Sequence, residues 1–250
     1  MLRRNALAHD VSLSARDAAP PSRSAPASFD ATTFDKSYFG AESNYGGRYD
    51  WYNPPHKIAG YLREIRAVRP GGALLDVGCA FGRFLEQARA HYRCEGMDIS
   101  AYALEAARRR LPDIPLTQGR IEDFRPGGRY DVVTCFDVLE HVPDLDLALG
   151  RLANLLAPSG VLAIAVPVYD SPPGWAFGLL DRDATHVHRH GRRFWLRRLP
   201  AAGLRPIVFK GILRVPLPGG LFLHFISGLF RFFSSAIFVI AERVDRPPAS

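Results

Sequence analysis

Residues 74–84, Leu-Leu-Asp-Val-Gly-Cys-Ala-Phe-Gly-Arg-Phe, constrain this chain more than any other stretch. An apolar run carries Asp76, the chain turns through Gly78-Cys79-Ala80-Phe81-Gly82, and a helical pattern follows. Small residues in such a turn let the backbone approach a ligand closely, and the N–H groups opening the helix meet its polar end. The next apolar run, Cys94–Ile99, carries Gly96-Met97-Asp98-Ile99. An acid at that position can accept bonds from both hydroxyls of a ribose. A nicotinamide fingerprint would place its third glycine one residue later and has no acid inside the first strand, and the Gly-Lys-Ser/Thr of a phosphate loop is absent.

The segments around this turn alternate. Strands are predicted at Ala73–Val77, Cys94–Ile99, Ile114–Gln118, Tyr130–Phe136, Gly160–Val166, Leu204–Leu213 and Ala236–Glu242. Helices are predicted at His56–Val68, Gly82–His91, Ala101–Arg110, Leu145–Leu156 and Arg192–Ala202. Continuous apolar strands such as Leu162–Val166 suit a sheet covered on both faces. The alternation means an α/β, Rossmann-like, doubly wound sheet.

Composition bounds the rest. The chain has 250 residues, enough for one sizeable domain without a staple. Three cysteines in separate segments (Cys79, Cys94, Cys135) argue against a disulfide framework and for a reducing, cytoplasmic compartment. The formal charge is +7, but the only lysines are Lys36, Lys57 and Lys210, so the excess reads as an arginine-rich composition and not as a nucleic-acid footprint. Residues 1–28 are rich in Ala, Ser, Pro and Arg and read as a disordered tail. Residues 29–53 turn aromatic and Gly-rich (Phe34, Tyr38, Tyr45, Tyr49, Trp51) and read as a cap over something. The main domain is then 54–244.

These motifs resemble the class I S-adenosylmethionine-dependent methyltransferases, in particular the small-molecule group similar to the ubiquinone-biosynthesis O-methyltransferases. The resemblance runs from about Phe34 to Val244. It implies a seven-stranded sheet of order 3-2-1-4-5-7-6 with the seventh strand antiparallel, and S-adenosylmethionine as cofactor. Asp76, Gly78, Cys79, Ala80 and Gly82 match the first motif, beside the methionine part of the cofactor. Asp98 with Ile99 matches the ribose acid, and Ile121-Glu122 the adenine-reading segment. Phe136 closes the fourth-strand motif, Tyr130–Val142. The resemblance also implies methyl transfer to a small acceptor, most simply at oxygen, with a non-catalytic relative of the fold and an RNA methyltransferase as alternatives.

Candidate chemistry lies downstream. His186, in Thr185-His186-Val187, matches a substrate-side segment of the family and is the candidate general base, with His141 the second candidate catalytic residue. Asp137, Glu140 and His141 have the spacing with which similar enzymes hold a divalent cation; the reading preferred here is that they brace the loop, with no metal. His186, His188 and His190 would share one face if extended, a pattern open to zinc. Asn53-Pro54-Pro55-His56 looks like an amino-methyltransferase motif but reads as a Pro pair starting a helix. Arg189, Arg192, Arg193, Arg197 and Arg198 form a possible basic stripe; DNA is not expected as a partner, and RNA is the least favoured.

The stretch 217–233 is apolar and reads as a helical insertion, with His224, Ser227, Gly228 and Arg231 as a narrow polar stripe. Such a helix must bury most of its surface against the core, a homodimer partner, an apolar substrate or a peripheral membrane contact. With the aromatic cap it predicts a hydrophobic acceptor.

Overall fold

The computed structural model describes residues 29–40, 49, 53–216 and 222–244. The expected tail, and Tyr45 and Trp51 of the expected cap, lie outside the described residues. The strands are β1 (Ala73–Val77), β2 (Arg93–Asp98), β3 (Leu116–Gln118), β4 (Tyr130–Phe136), β5 (Leu156–Pro167), β6 (Leu204–Pro216), β7 (Phe222–Ser227) and β8 (Ala236–Arg243). The helices are α1 (Lys36–Phe39), α2 (Pro55–Val68), α3 (Arg83–Ala88), α4 (Ala101–Arg110), α5 (Leu145–Leu155), α6 (Pro172–Leu180) and α7 (Arg192–Ala201).

All eight strands join one sheet in the order β3-β2-β1-β4-β5-β8-β6-β7. The first five in that order run parallel, and β8 is antiparallel to both β5 and β6. β8 is therefore the antiparallel strand expected from sequence, and the eighth strand is an addition at the sheet edge. Adjacent strand residues point to opposite faces, so the sheet separates two cores. Leu75, Val133 and Ile164 pack on the face with Leu149 and Leu152 of α5 and Trp195 of α7. Leu74, Val132, Ala163 and Phe238 pack on the other face with Ile58, Tyr61 and Ile65 of α2 and Leu85 of α3.

Among the described residues of 217–233 the expected helix is not formed. Phe222–Ser227 is β7, and Gly228–Phe230 is a short 3-10 turn. Strand β6 explains this. Its Leu204–Ile212 portion pairs with β8, but it runs on to Pro216, and buried or half-buried backbone needs partners. β7 supplies them from Gly211↔Ser227 to Pro216↔Phe222. Aromatic and branched residues suit a pleated surface, and Pro218-Gly219-Gly220 between two apolar runs is a turn signal. In β7 the supposed polar stripe is broken up: His224 lines the cavity described below, and Ile226 reaches Gly60 of α2.

Candidate active site

A cavity of about 700 Å³ opens at the carboxyl ends of β1, β2 and β4, where open α/β sheets bind ligands. Asp76, near the end of β1, is buried and accepts a 2.6 Å bond from the Thr134 hydroxyl of β4. Burial pushes its carboxyl up to about 7. The turn after β1 runs close beneath β4: a Cβ on Gly78 would lie 2.2 Å from Val138 Cγ2, and Gly78 has φ +74°. Asp98 ends β2, and its two oxygens accept from the Ala80 and Ser100 N–H groups at 2.8 Å each. The carboxylate thus holds the turn in place while facing the cavity.

Asp76, Gly78, Cys79, Ala80, Asp98, Ile99, Ile121, Glu122 and Phe136 all line this cavity. Gly82, expected among them, is absent from the wall. It precedes α3 in a left-handed conformation, with Leu111 and Ala107 against it, and shapes the turn from behind. Next to Ile121, Arg120 pairs with Glu122 at 3.2 Å and donates to the Phe29 carbonyl. Phe34, Tyr38, Phe39 and Tyr49 of the expected cap also line the cavity.

Beyond β5 the wall is polar and ordered. His186 Nδ1 lies 2.8 Å from Asp181 Oδ2, which also accepts the Tyr169 hydroxyl at 2.7 Å. These donors hold Asp181 down at about 2, so it is ionised and His186 Nδ1 carries the proton. The imidazole's Nε2 is then its basic atom. Asp181, Asp183 and Glu140 raise the His186 pKa above its ordinary value against the pull of burial. Thr185 Oγ1 gives its only proton to Asp183 at 2.5 Å, so its 2.8 Å contact with His141 Nδ1 has His141 donating. Burial and the neighbouring His186 push His141 down to about 4, leaving it neutral. Tyr38 donates to Asp183 from α1 and joins the cap to this wall.

Asp137 does not join a metal-binding set with Glu140 and His141. Its two oxygens accept Lys57 Nζ at 3.0 Å and Arg214 Nη2 at 3.1 Å, and the two cations hold its carboxyl well below the usual range. Glu140, His141 and His186 do place one donor atom each within 4.8 Å of one another. The Glu140 backbone carbonyl accepts from Val187 and His188 N–H and pins the loop after β5. The three alternate histidines do not converge: His188 Nε2 contacts the Val142 carbonyl, and His190 stacks on Phe194. Of the arginine cluster, Arg192 is buried against Asp170 and Arg198 lies over the Phe194 ring, while Arg193 and Arg197, one turn apart on α7, are exposed.

Sequence reasoning missed Asp181, Tyr169, Lys57 and Arg214. The signals were slight: a lysine in an arginine-rich chain, and a cation between Leu213 and Val215 near the end of β6.

Residues 51–208 match the family model of a methyltransferase domain, which is more than half of the chain. The chain belongs to the class I S-adenosylmethionine-dependent methyltransferases. It is 34% identical over 169 residues to a dTDP-3-amino-3,6-dideoxy-alpha-D-glucopyranose N,N-dimethyltransferase of Streptomyces fradiae, covering 60% of this chain and 66% of that one. It is 29% identical to a ubiquinone biosynthesis O-methyltransferase of Idiomarina loihiensis, covering 67% and 77%. The matched stretch spans 66% of the length of the Streptomyces relative and 39% and 50% of that of other curated relatives it matches, less than two-thirds of each. The solved structure of an S-adenosylmethionine-bound amino pentose methyltransferase from Micromonospora echinaspora superposes with a TM-score of 0.54 at 20% identity, over 80% of this chain and 96% of that one. The eight-stranded sheet is thus this methyltransferase's version of the shared fold. Its cofactor is S-adenosylmethionine, and the Asp76 and Asp98 cradle fits that molecule's donors.

Proposed function

We propose that this methyltransferase transfers the methyl group of S-adenosylmethionine to a hydroxyl oxygen of a small, largely apolar acceptor in the cytoplasm. The observation that carries the reading is His186, on the cavity wall, with Nδ1 2.8 Å from Asp181 Oδ2 so that Nε2 is the atom left to take a proton. The cofactor supplies an activated methyl on a sulfonium, and the bonding pair stays on sulfur as a thioether. The protein's part is to hold the acceptor oxygen in line, exclude water and take the hydroxyl proton onto His186 Nε2. An amine attacks with its own lone pair and has less need of such a base. His141, neutral and bonded through Thr185 to Asp183, keeps its own Nε2 as an acceptor beside His186.

The aromatic cap (Phe34, Tyr38, Phe39, Tyr49) and Ala176, Phe177 and Leu180 of α6 supply apolar walls for the acceptor body. Methyl-labelled cofactor incubated with matched pools of phenols and anilines tests the reading. Label is expected in the phenol pool, and His186→Gln should lower kcat by about 10²–10⁴-fold while affinity for S-adenosylhomocysteine holds. Label confined to the anilines would move the reaction to nitrogen.

A further inference from the structure

A group of cations sits at the other end of the same cavity, around Asp137. Lys57, on α2, is 95% buried, and Arg214 lies near the end of β6. Together they are two cations paired to one carboxylate, and Asp137 offsets part of the pull by which burial lowers the Lys57 pKa. The nearest further acid, Glu140, is pushed up to about 8 by burial and by Asp137, so at neutral pH it does not balance the second charge. A buried surplus of charge costs heavily unless something completes it.

The donors around this charge are also incomplete. Lys57 Nζ gives two of its three protons to Asn53 Oδ1 and Asp137 Oδ2. Arg214 uses Nη2 on Asp137, but its buried Nε has no partner. The buried Tyr61 hydroxyl faces the Arg214 guanidinium, whose hydrogen bond and charge work against burial there, and it has no partner besides Arg214. His224 Nδ1 of β7 is a second buried, unpaired atom, and burial with the positive field of Arg214 and Lys57 holds that ring neutral. All four side chains line the cavity. Buried polar atoms are nearly always paired, so Arg214 Nε, His224 Nδ1 and the third Lys57 proton, all unmatched around one surplus charge, indicate a missing ligand group.

The sheet order gives that group a source. Of the adenosine-side residues, Asp98 ends β2 and Ile121 follows β3, and Asp76 lies on β1. Arg214 and His224 come from β6 and β7, on the far side of β4 and β5 and on the hairpin that extends the sheet. We propose that Lys57, Arg214 and Tyr61 receive an anionic oxygen group of the methyl acceptor, a carboxylate or phosphate, so that the acceptor has an apolar body and one anionic end. This rests on the methyltransferase reading above and deepens it.

The test uses benzoate and phenyl phosphate as probes, with benzamide as the neutral counterpart, on protein saturated with S-adenosylhomocysteine and followed by calorimetry. Both anions should bind, and benzamide much more weakly. Arg214→Gln should weaken the anions about tenfold or more and leave benzamide unchanged. Tyr61→Phe keeps the ring between Phe136 and Phe238, so it tests the hydroxyl without emptying the core; it should weaken the anions by a smaller factor. Anions binding no better than benzamide, or anion affinities untouched by both variants in folded protein, would overturn the proposal. It is overturned too if Arg214→Gln weakens S-adenosylhomocysteine but not methylthioadenosine, which lacks the amino-acid end, because the site would then hold the cofactor's carboxylate. Failure of wild type to bind S-adenosylhomocysteine at all would instead strike the methyltransferase reading itself.

Discussion

Ser159 sits at φ +56°, a left-handed conformation that a side chain adopts at a cost of about 1 kcal/mol or more. It is exposed, and the bond it anchors, from the Arg69 guanidinium, uses its backbone carbonyl. Glycine would relieve the strain and keep that bond, although its freer unfolded chain returns about 0.4–1 kcal/mol of the gain. Ser159→Gly is therefore expected to raise Tm by about 1–3 °C in a thermal melt; a fall would mean the serine is not strained. Asp76 makes a second residue-scale prediction. Its carboxyl stands at about 7 in the folded chain against 3.8 as the ordinary value, so between those values the folded state binds a proton that the unfolded state releases. Stability from this group is complete below 3.8 and lost as pH rises through about 7. Asp76→Asn should flatten the decline of Tm between about pH 4 and 7. Glu140, raised by burial in the same direction, keeps the slope from vanishing. Unaltered slopes in the variant would show that Asp76 is ionised in the fold.

At the scale of elements, what was legible in the sequence depended on how local the cause is. The β1 turn, Asp98 and the parallel strands follow from short-range patterns: a glycine that must pass under Val138, an acid closing a strand, apolar runs fit for a two-sided sheet. β7 was read as a helix because Leu221–Phe233 is apolar almost throughout, and periodicity distinguishes poorly between strand and helix in such a run. Its strand state is set from outside, by β6 continuing past its pairing with β8. α6 was missed for a related reason. Pro172-Pro173-Gly174-Trp175-Ala176-Phe177-Gly178-Leu179-Leu180 has two glycines and no polar face to mark a helix. The site shows the same division. Asp76 and Asp98 sit within recognisable local motifs, whereas Lys57, Asp137 and Arg214 meet from α2, the end of β4 and β6, and no local pattern encodes that meeting.

At the scale of the whole molecule, apolar surface gathers on one rim of the cavity. α6 lines the cavity with Ala176, Phe177 and Leu180, yet Trp175, Leu179 and Leu180 are 60%, 87% and 78% exposed. A helix apolar all round but covered on one side is unusual in a monomer. The Ser171 hydroxyl before α6 donates to the Ser234 carbonyl, which sets this helix beside the segment carrying Leu229 and Phe232, 88% and 71% exposed. Arg182 follows α6, and Arg231 lies within the second segment. No helix among the described residues is long and apolar enough to cross a bilayer. Exposed aromatic and leucine side chains flanked by arginines instead suit shallow contact with an anionic lipid surface. Such contact would bring an apolar acceptor to the cavity mouth. Wild-type protein is therefore expected to float with phosphatidylglycerol-containing vesicles at low salt, and less so with neutral vesicles. Trp175→Glu/Leu179→Glu should remain at the bottom of the gradient while still binding S-adenosylhomocysteine, since neither side chain touches the cofactor end. If the doubly substituted protein floats as wild type does, the rim is not the contact, and its apolar residues face another copy of the chain or the acceptor alone.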